Sequence, residues 1–281
     1  MNLKASFKSE DGNFILYQND CNSILPKMKE KFDLIFADPP YFLSNDGLSI
    51  QSGKIVSVNK GEWDRKDNIF QIDAFNEKWI RNAEIALKPS GSIMVSGTYH
   101  NIFSLGHTLQ KLDFKILNII TWQKTNPPPN FSCRFLTHST EQIIWAKKNK
   151  ESKTKHIFNY EILKKLNENK QMKDVWSLAA IAPYEKTFGK HPTQKPISLL
   201  VRLILMASKK DSIICDPFCG SGTTGIAANL LNRKFIGIEK EEEFINLSMK
   251  RKNELVIRKK EFESRIKDLK NMQNLNEKSL F

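Results

Sequence analysis

Two short segments carry residue types that could do chemistry together. The first is Asp38-Pro39-Pro40-Tyr41, directly after an apolar run at residues 32–37. Neither proline has an N–H to give to a helix, and each holds the preceding residue in extended geometry, so the segment leaves a strand end as a stiff corner. That corner displays a carboxylate, a carbonyl and an aromatic ring. Asp38 and the Pro39 carbonyl can each accept one N–H of an exocyclic amine on an aromatic base, with Tyr41 stacked on the ring face. Such an amine is a poor nucleophile, because its lone pair is delocalised into the ring. Two acceptors draw the nitrogen towards tetrahedral geometry and favour its attack on an electrophilic methyl group. A rigid turn with an incidental aspartate is the alternative reading.

The second segment runs from Ser212 to Gly225, SIICDPFCGSGTTG. Gly220, Gly222 and Gly225 fit G-x-G-x-x-G between a strand and a helix, a spacing that allows a tight turn, close ligand approach and close helix packing. A further strand ends in Glu239, about 20 residues on, where an acid can accept both ribose hydroxyl protons of a nucleoside-bearing cofactor. No G-x-x-x-x-G-K-[ST] occurs, which removes the nucleotide P-loop. Between a dinucleotide and S-adenosylmethionine, Asp216-Pro217-Phe218 favours the second: a carboxylate repels a pyrophosphate and attracts a sulfonium.

These motifs need a scaffold. Apolar runs bounded by turn residues at 14–18, 32–37, 92–96, 116–122, 142–146, 212–215 and 235–238 read as strands. Helical patterns lie between them, at 74–86 with Phe75, Trp79, Ile80 and Ala83 on one face, at 197–207 and at 223–231. The alternation predicts an α/β fold, Rossmann-like, with a mainly parallel sheet covered on both faces by helices. Residues 44–65 are polar, with Gly47, Gly53 and Gly61, and are too long for an ordinary connection, so a functional or disordered loop is expected. Residues 147–190 hold eleven Lys and five acidic residues, which fits an inserted basic subdomain. The tail from Leu247 places Leu255, Phe262, Ile266 and Leu269 at helical spacing amid ten basic and five acidic residues. A solvated amphipathic helix is expected there, with a dimer contact or a nucleic-acid-facing arm as the alternative.

Composition narrows the partners. The chain has 281 residues, 40% hydrophobic, and a formal net charge of +13, which favours a polyanion over an acidic small molecule. Cys21, Cys133, Cys215 and Cys219 form no C-x-x-C pair, so neither a zinc site nor a disulfide framework is expected and the chain reads as cytosolic. The charged first residues lack the apolar core of a signal peptide, and no apolar run is long enough to span a bilayer.

Taken together, these residues resemble the amino DNA methyltransferases, and within them the circularly permuted beta class, in which the Asp-Pro-Pro-Tyr motif precedes the glycine-rich motif. The resemblance covers residues 14–250 and looks closest to the DpnA-type adenine methyltransferases of bacterial GATC restriction systems, through residues 36–44, 60–64, 121–126 and 189–196. It implies catalytic residues Asp38, Pro39, Pro40 and Tyr41, with the target base flipped out of the DNA duplex. For S-adenosylmethionine it implies Asp20 and Cys21 at the adenine, Glu239 at the ribose, and His191, Thr193 and Lys195 beside the methionine moiety. Asp38, Asp216, Pro217, Phe218, Gly220, Ser221, Gly222, Thr223 and Thr224 complete that set. Asp20 could instead cap a helix, and Cys219, where relatives often carry an apolar residue, should behave as a small hydrophobe.

Residues 1–125 would form the catalytic half, 126–190 the target-recognition region, 191–250 the cofactor half and 251–281 a charged tail. Asn126, Asn130, Arg134, Lys147 and Lys148 are the expected DNA contacts. Double-stranded DNA is the implied partner, with single-stranded DNA, a homodimer and a cognate restriction endonuclease beside it. Asp at position 38 favours adenine N6. Cytosine N4, an RNA or protein amide, and a non-catalytic DNA-binding protein on a decayed fold are the alternatives.

Overall fold

The computed structural model describes residues 3–41, 48–51, 54–57, 68–130, 133–149, 153–189 and 191–274. Its strands are β1 (Phe7–Lys8), β2 (Phe14–Gln18), β3 (Phe32–Ala37), β4 (Leu48–Gln51), β5 (Lys54–Ser57), β6 (Leu87–Gly97), β7 (Phe114–Lys124), β8 (Thr140–Lys148), β9 (Val175–Leu178), β10 (Ile213–Asp216) and β11 (Lys234–Glu239). Nine of these form one sheet in the order β1-β2-β11-β10-β3-β6-β8-β7-β9. Pairing is parallel from β2 through β11, β10 and β3 to β6 and again between β7 and β9, while β1 and β8 run against it. The expected mainly parallel α/β sheet is therefore present.

The helices are α1 (Cys21–Ile24), α2 (Ile69–Ala86), α3 (Ile102–Lys111), α4 (Tyr160–Leu166), α5 (Ile197–Ala207), α6 (Thr223–Leu230), α7 (Glu242–Arg265) and α8 (Lys267–Asn274). They cover both faces. Side chains alternate across a strand, so Leu34 and Phe36 of β3 meet α5 and α6 through Leu199, Leu203 and Ile226, whereas Ile35 and Ala37 meet Trp79, Ile80 and Leu105 of α2 and α3. A strand buried on both faces reads as a continuous apolar run, which is how β3 is written.

Three expectations change. α2 starts at Ile69, not residue 74, because the Asn68 side chain caps it by accepting the Gln71 N–H. The helices over residues 242–274 are not solvated: Leu255, Phe262, Ile266 and Leu269 are buried in the main core, and Asp268 takes a two-pronged ion pair from Arg202 of α5 at 2.7 and 2.9 Å. The apolar face offered for a dimer contact is thus spent inside the chain. Nor do residues 147–190 stand apart as an inserted subdomain. β9 joins the main sheet beside β7, and Leu163 of α4 and Trp176 of β9 lie in the main core. The 44–65 segment contains the antiparallel pair β4 and β5, and its remaining residues lie outside the described ones.

β3 and β10 are far apart in sequence and adjacent in space, with Leu34 opposite Ile214 and Ile35 opposite Cys215. The corner after β3 and the glycine loop after β10 consequently emerge at the same edge, the carboxyl ends of the parallel strands, where open α/β sheets bind ligands.

Candidate active site

That edge opens onto a cavity of about 380 Å3. Asp20 and Cys21 line it after β2, Glu239 at the end of β11, Pro217 and Phe218 after β10, and Asp38 to Tyr41 after β3; His191 and Thr193 close one side. An adjoining cavity of about 30 Å3 lies among Asp38, His191, Asp216 and Gly220.

At the β11 end of the cavity, Glu239 is held by backbone. Its Oε2 accepts the Gly220 N–H at 2.7 Å, and its Oε1 accepts those of Lys240 and Glu241 at 2.8 and 3.0 Å. Burial pushes its carboxyl above the usual range against those three donors. Asp20 caps α1, the alternative reading of this residue, by accepting the Asn22 N–H at 2.8 Å, and it also lines the cavity. Burial raises the Asp20 carboxyl, but Lys240, 2.7 Å away, and the Asn22 N–H outweigh it and hold it low. Burial pushes the Cys21 thiol up to about 12, so it serves as apolar wall.

The glycine loop owes its shape to the backbone. Gly220 and Gly222 have φ of +49° and +73°, the left-handed region open to glycine. A Cβ on Gly225 would lie 2.3 Å from the Phe14 ring and 2.4 Å from that of Phe235, so the third glycine allows α6 to sit against the sheet. The loop's hydroxyls point inward. Arg251 of α7 donates to the Ser221 carbonyl, the Ser221 hydroxyl and the Thr223 hydroxyl at 2.7, 2.9 and 2.7 Å. Ser248 donates to the Gly220 carbonyl at 2.8 Å. Asp216 accepts the Thr224 hydroxyl at 2.5 Å and the Phe218 N–H at 3.0 Å, and burial pushes its carboxyl up to about 7. The side chains of Ser221, Thr223 and Thr224 therefore brace the loop. Cys219 is buried beside Ser248, its Sγ 4.0 Å from the hydroxyl. The His191 ring packs edge-on against Phe244 at 4.3 Å and accepts the Thr193 N–H at 3.3 Å.

Lys195 lines the adjoining cavity with His191, Thr193 and Gly220, and its ammonium lies 2.6 Å from Asp38 Oδ2, because the residues leading into α5 turn the side chain towards the corner. Tyr41 differs from expectation. Its ring borders the cavity but is almost fully buried, and its hydroxyl donates to Asp38 Oδ1 at 2.6 Å, with Ser96 at 3.0 Å and Glu141 Oε2 at 3.3 Å. Both Asp38 oxygens are thus engaged. The Asn101 amide donates to the Pro40 carbonyl at 3.3 Å and fixes the corner from the start of α3. Asn101, Glu141, Ser248 and Arg251 escaped sequence reasoning; Ser248 and Arg251, three apart on a helix just after the Glu239 strand, offered the readable signal.

The expected DNA contacts divide. Asn126, Asn130 and Arg134 lie between β7 and β8 at the same sheet edge as Asp38. Asn126 accepts the Ala180 N–H at 2.9 Å, Asn130 donates to the Phe135 carbonyl, and Arg134 is exposed. Beside them Tyr99 stacks on His138 at 4.5 Å, and Phe135 lies 5.3 Å from the same ring. Lys147 and Lys148 are elsewhere. β8 runs antiparallel, pairing Gln142 with Gly97 but Lys147 with Ser92, so the two lysines end about 17 Å down the strand at the opposite edge. Lys147 is buried and donates to the Thr154 carbonyl, and Lys148 donates to that of Leu87. Both are tied to backbone carbonyls at the sheet edge away from Asp38.

Among the described residues no cluster of His, Cys, Asp or Glu could hold a metal ion, and no helix is long and apolar enough to cross a membrane. The left-handed glycine cradle, the Glu239 acceptor and the carboxylates at both ends of the cavity suit a cationic nucleoside such as S-adenosylmethionine.

Comparison with known proteins agrees with this geometry. A family model described as DNA methylase matches residues 32–250. The chain is 55% identical over 269 residues to the Type II methyltransferase M2.MboI of Moraxella bovis, covering 95% of this chain and 98% of that protein. It is 54% identical to M2.DpnII of Streptococcus pneumoniae over 238 residues, 84% of this chain and 88% of that one. Among solved structures, the complex of M1.HpyAVI with S-adenosylmethionine has a TM-score of 0.63 and 28% identity, over 85% of this chain and 99% of that one. The cytosine-N4-specific PvuII DNA methyltransferase, at 19% identity and a TM-score of 0.67 over 86% of each chain, shares the fold.

Proposed function

The chain belongs to the DNA methylase family, and on that premise we propose that the Asp38–Tyr41 corner receives a flipped adenine and directs its N6 amine at the methyl group of S-adenosylmethionine. The protein is a DNA methyltransferase that uses this cofactor and methylates adenine N6. One observation carries the residue-level reading: Asp38, just after β3, and Glu239, at the end of β11, open onto one cavity.

When bound, S-adenosylmethionine supplies a methyl group made electrophilic by its sulfonium. The chain's residues supply the rest. Glu239 would accept from the ribose, and Asp20 and Cys21 would border the adenine. Asp38 and the Pro39 carbonyl accept the target's two N–H groups, which localises the nitrogen lone pair and aligns it with the methyl carbon. Tyr41 holds Asp38 in place through its hydroxyl while its ring walls the pocket. DNA lies across the carboxyl edge, with Arg134 on phosphate and Asn126, Asn130 and the exposed Tyr99 and Phe135 towards the bases. A GATC site, a cognate restriction endonuclease as functional counterpart and a cytoplasmic location complete this reading.

Incubation with labelled S-adenosylmethionine and unmethylated duplex DNA, followed by nucleoside analysis and modification-sensitive sequencing, tests it. N6-methyladenine within GATC is expected. Label in N4-methylcytosine, RNA or protein would overturn the target assignment, and N6-methyladenine at another sequence would overturn the site.

A further inference from the structure

Around Asp38 four buried or nearly buried charges form one cluster. The Lys195 ammonium lies 2.6 Å from Asp38 Oδ2 and 3.5 Å from Glu141 Oε2, and it donates to the Thr193 carbonyl at 3.2 Å. Lys124 holds the other Glu141 oxygen at 2.6 Å. Tyr41 spans the two carboxylates through its hydroxyl. The charges of Asp38, Glu141, Lys124 and Lys195 cancel, and the Lys195 side chain is only 4% exposed. Two carboxylates therefore face one lysine, one in close contact and one about 1 Å too far for a tight ion pair.

We propose that Lys195 is a counter-ion that moves between Asp38 and Glu141 during methyl transfer, and that Glu141 is the positioning residue that receives it. The inference rests on the reading of Asp38 as the amine acceptor. In the transfer the nitrogen lone pair forms the N–C bond, the C–S bond breaks with its electron pair going to sulfur, and one of the two amine protons passes to Asp38. Once Asp38 is neutral, the buried Lys195 ammonium would keep only its longer contact with Glu141, a costly arrangement. A shift of about 1 Å closes it onto Glu141 and restores a tight ion pair. The returning proton then leaves Asp38 for solvent, and Lys195 moves back.

The electrostatics point the same way. The groups facing Asp38 are Tyr41 on its own corner, Ser96 of β6, Glu141 of β8, Lys195 before α5 and Asp216 of β10, with Lys124 of β7 behind Glu141. Burial pushes the Asp38 carboxyl up against the opposing pull of Lys195 and Tyr41. Burial pushes Glu141 up too, but Lys195 and Lys124 outweigh it and hold its carboxyl low. Asp38 is thus the readier proton acceptor, and Glu141 stays anionic to receive the lysine.

Single-turnover methyl transfer by the full-length protein, measured against pH with saturating S-adenosylmethionine and DNA, tests this. Activity falls as pH drops through the Asp38 pKa, because a protonated Asp38 cannot accept. Glu141→Gln removes a like charge, so this acid limb should move to lower pH while the plateau rate falls about tenfold or more for want of a receiving anion. Lys195→Met removes the opposite charge, so the limb should move to higher pH. Glu141→Asp keeps the charge and should return the limb to its wild-type position. Calorimetry with S-adenosylmethionine, expected within about threefold of wild type for all three, confirms an intact fold. Limbs that do not move, limbs that move in the same direction, or an unchanged Glu141→Gln plateau would overturn the switch. Methyl transfer by Asp38→Ala would instead overturn the acceptor reading beneath it.

Discussion

The two ends of the cavity are held by different physics. At the cofactor end the fixed groups are backbone: Glu239 takes three N–H groups, and the glycine loop is shaped by two left-handed residues and braced from α7 by Ser248 and Arg251. At the catalytic end they are charged side chains from β7, β8, the corner after β3 and the residues before α5. Backbone dipoles hold their direction at every pH and change little when a neighbouring side chain is trimmed, whereas a charge cluster in low dielectric loses its balance when one member goes. The cofactor end should therefore degrade gradually on mutation and the catalytic end abruptly.

The largest effect should come from the corner. Asp38→Ala is expected to lower methyl transfer at least about a thousandfold while leaving S-adenosylmethionine affinity within about tenfold, measured by filter assay and calorimetry on one preparation. Tyr41→Phe belongs with it rather than with mild variants, since it removes a hydroxyl shared by Asp38, Ser96 and Glu141. Next comes Glu239→Ala, which deletes charge-assisted hydrogen bonds worth about 1.5–3 kcal/mol each and should weaken cofactor binding roughly ten- to hundredfold. Gly225→Ala forces a Cβ onto two phenylalanine rings and should cost about 1–3 kcal/mol of stability by denaturant titration.

A smaller effect separates the two ends by pH. Burial raises the Asp216 carboxyl from an ordinary 3.8 to about 7, so between those values the folded state binds a proton that the unfolded chain has lost. Its contribution to stability is present below that window and is lost as pH rises through it. Asp216→Asn removes the titration, so the melting temperature of the wild type should fall relative to the variant from pH 4 to pH 7; parallel curves would show that Asp216 ionises freely. The smallest effect is expected at the far edge of the sheet. Lys148→Ala should leave the salt dependence of DNA binding unchanged, whereas Arg134→Ala should reduce its slope by about 0.9 if one phosphate contact is lost.

What the sequence disclosed follows the same division. Asp38 to Tyr41, the three glycines and Glu239 stand at strand ends, and strands buried on both faces announce themselves as apolar runs, so the cofactor end was largely readable from local pattern. The charge cluster was not. Lys195 was singled out, but its contact with Asp38 was not read, because that distance depends on how α5 docks beneath β3, a relation 157 residues long. Glu141 sits at the start of a strand whose core was recognised, yet only the insertion of β8 between β6 and β7 brings it to Tyr41. That Lys147 and Lys148 lie at the sheet edge away from Asp38 was hidden for the related reason that composition carries no strand direction. In the C-terminal helices the apolar spacing was right; that it fills a groove beside α5 depends on packing that periodicity cannot report.

The division between the two ends is tested most directly by titrating S-adenosylmethionine into single-turnover assays of Asp38→Ala and Glu239→Ala side by side. Rising cofactor concentration should restore Glu239→Ala to within about tenfold of the wild-type rate, because its defect is binding, and should leave Asp38→Ala inactive at saturation. Rescue of Asp38→Ala by excess cofactor, or a Glu239→Ala enzyme that stays inactive when saturated, would contradict it.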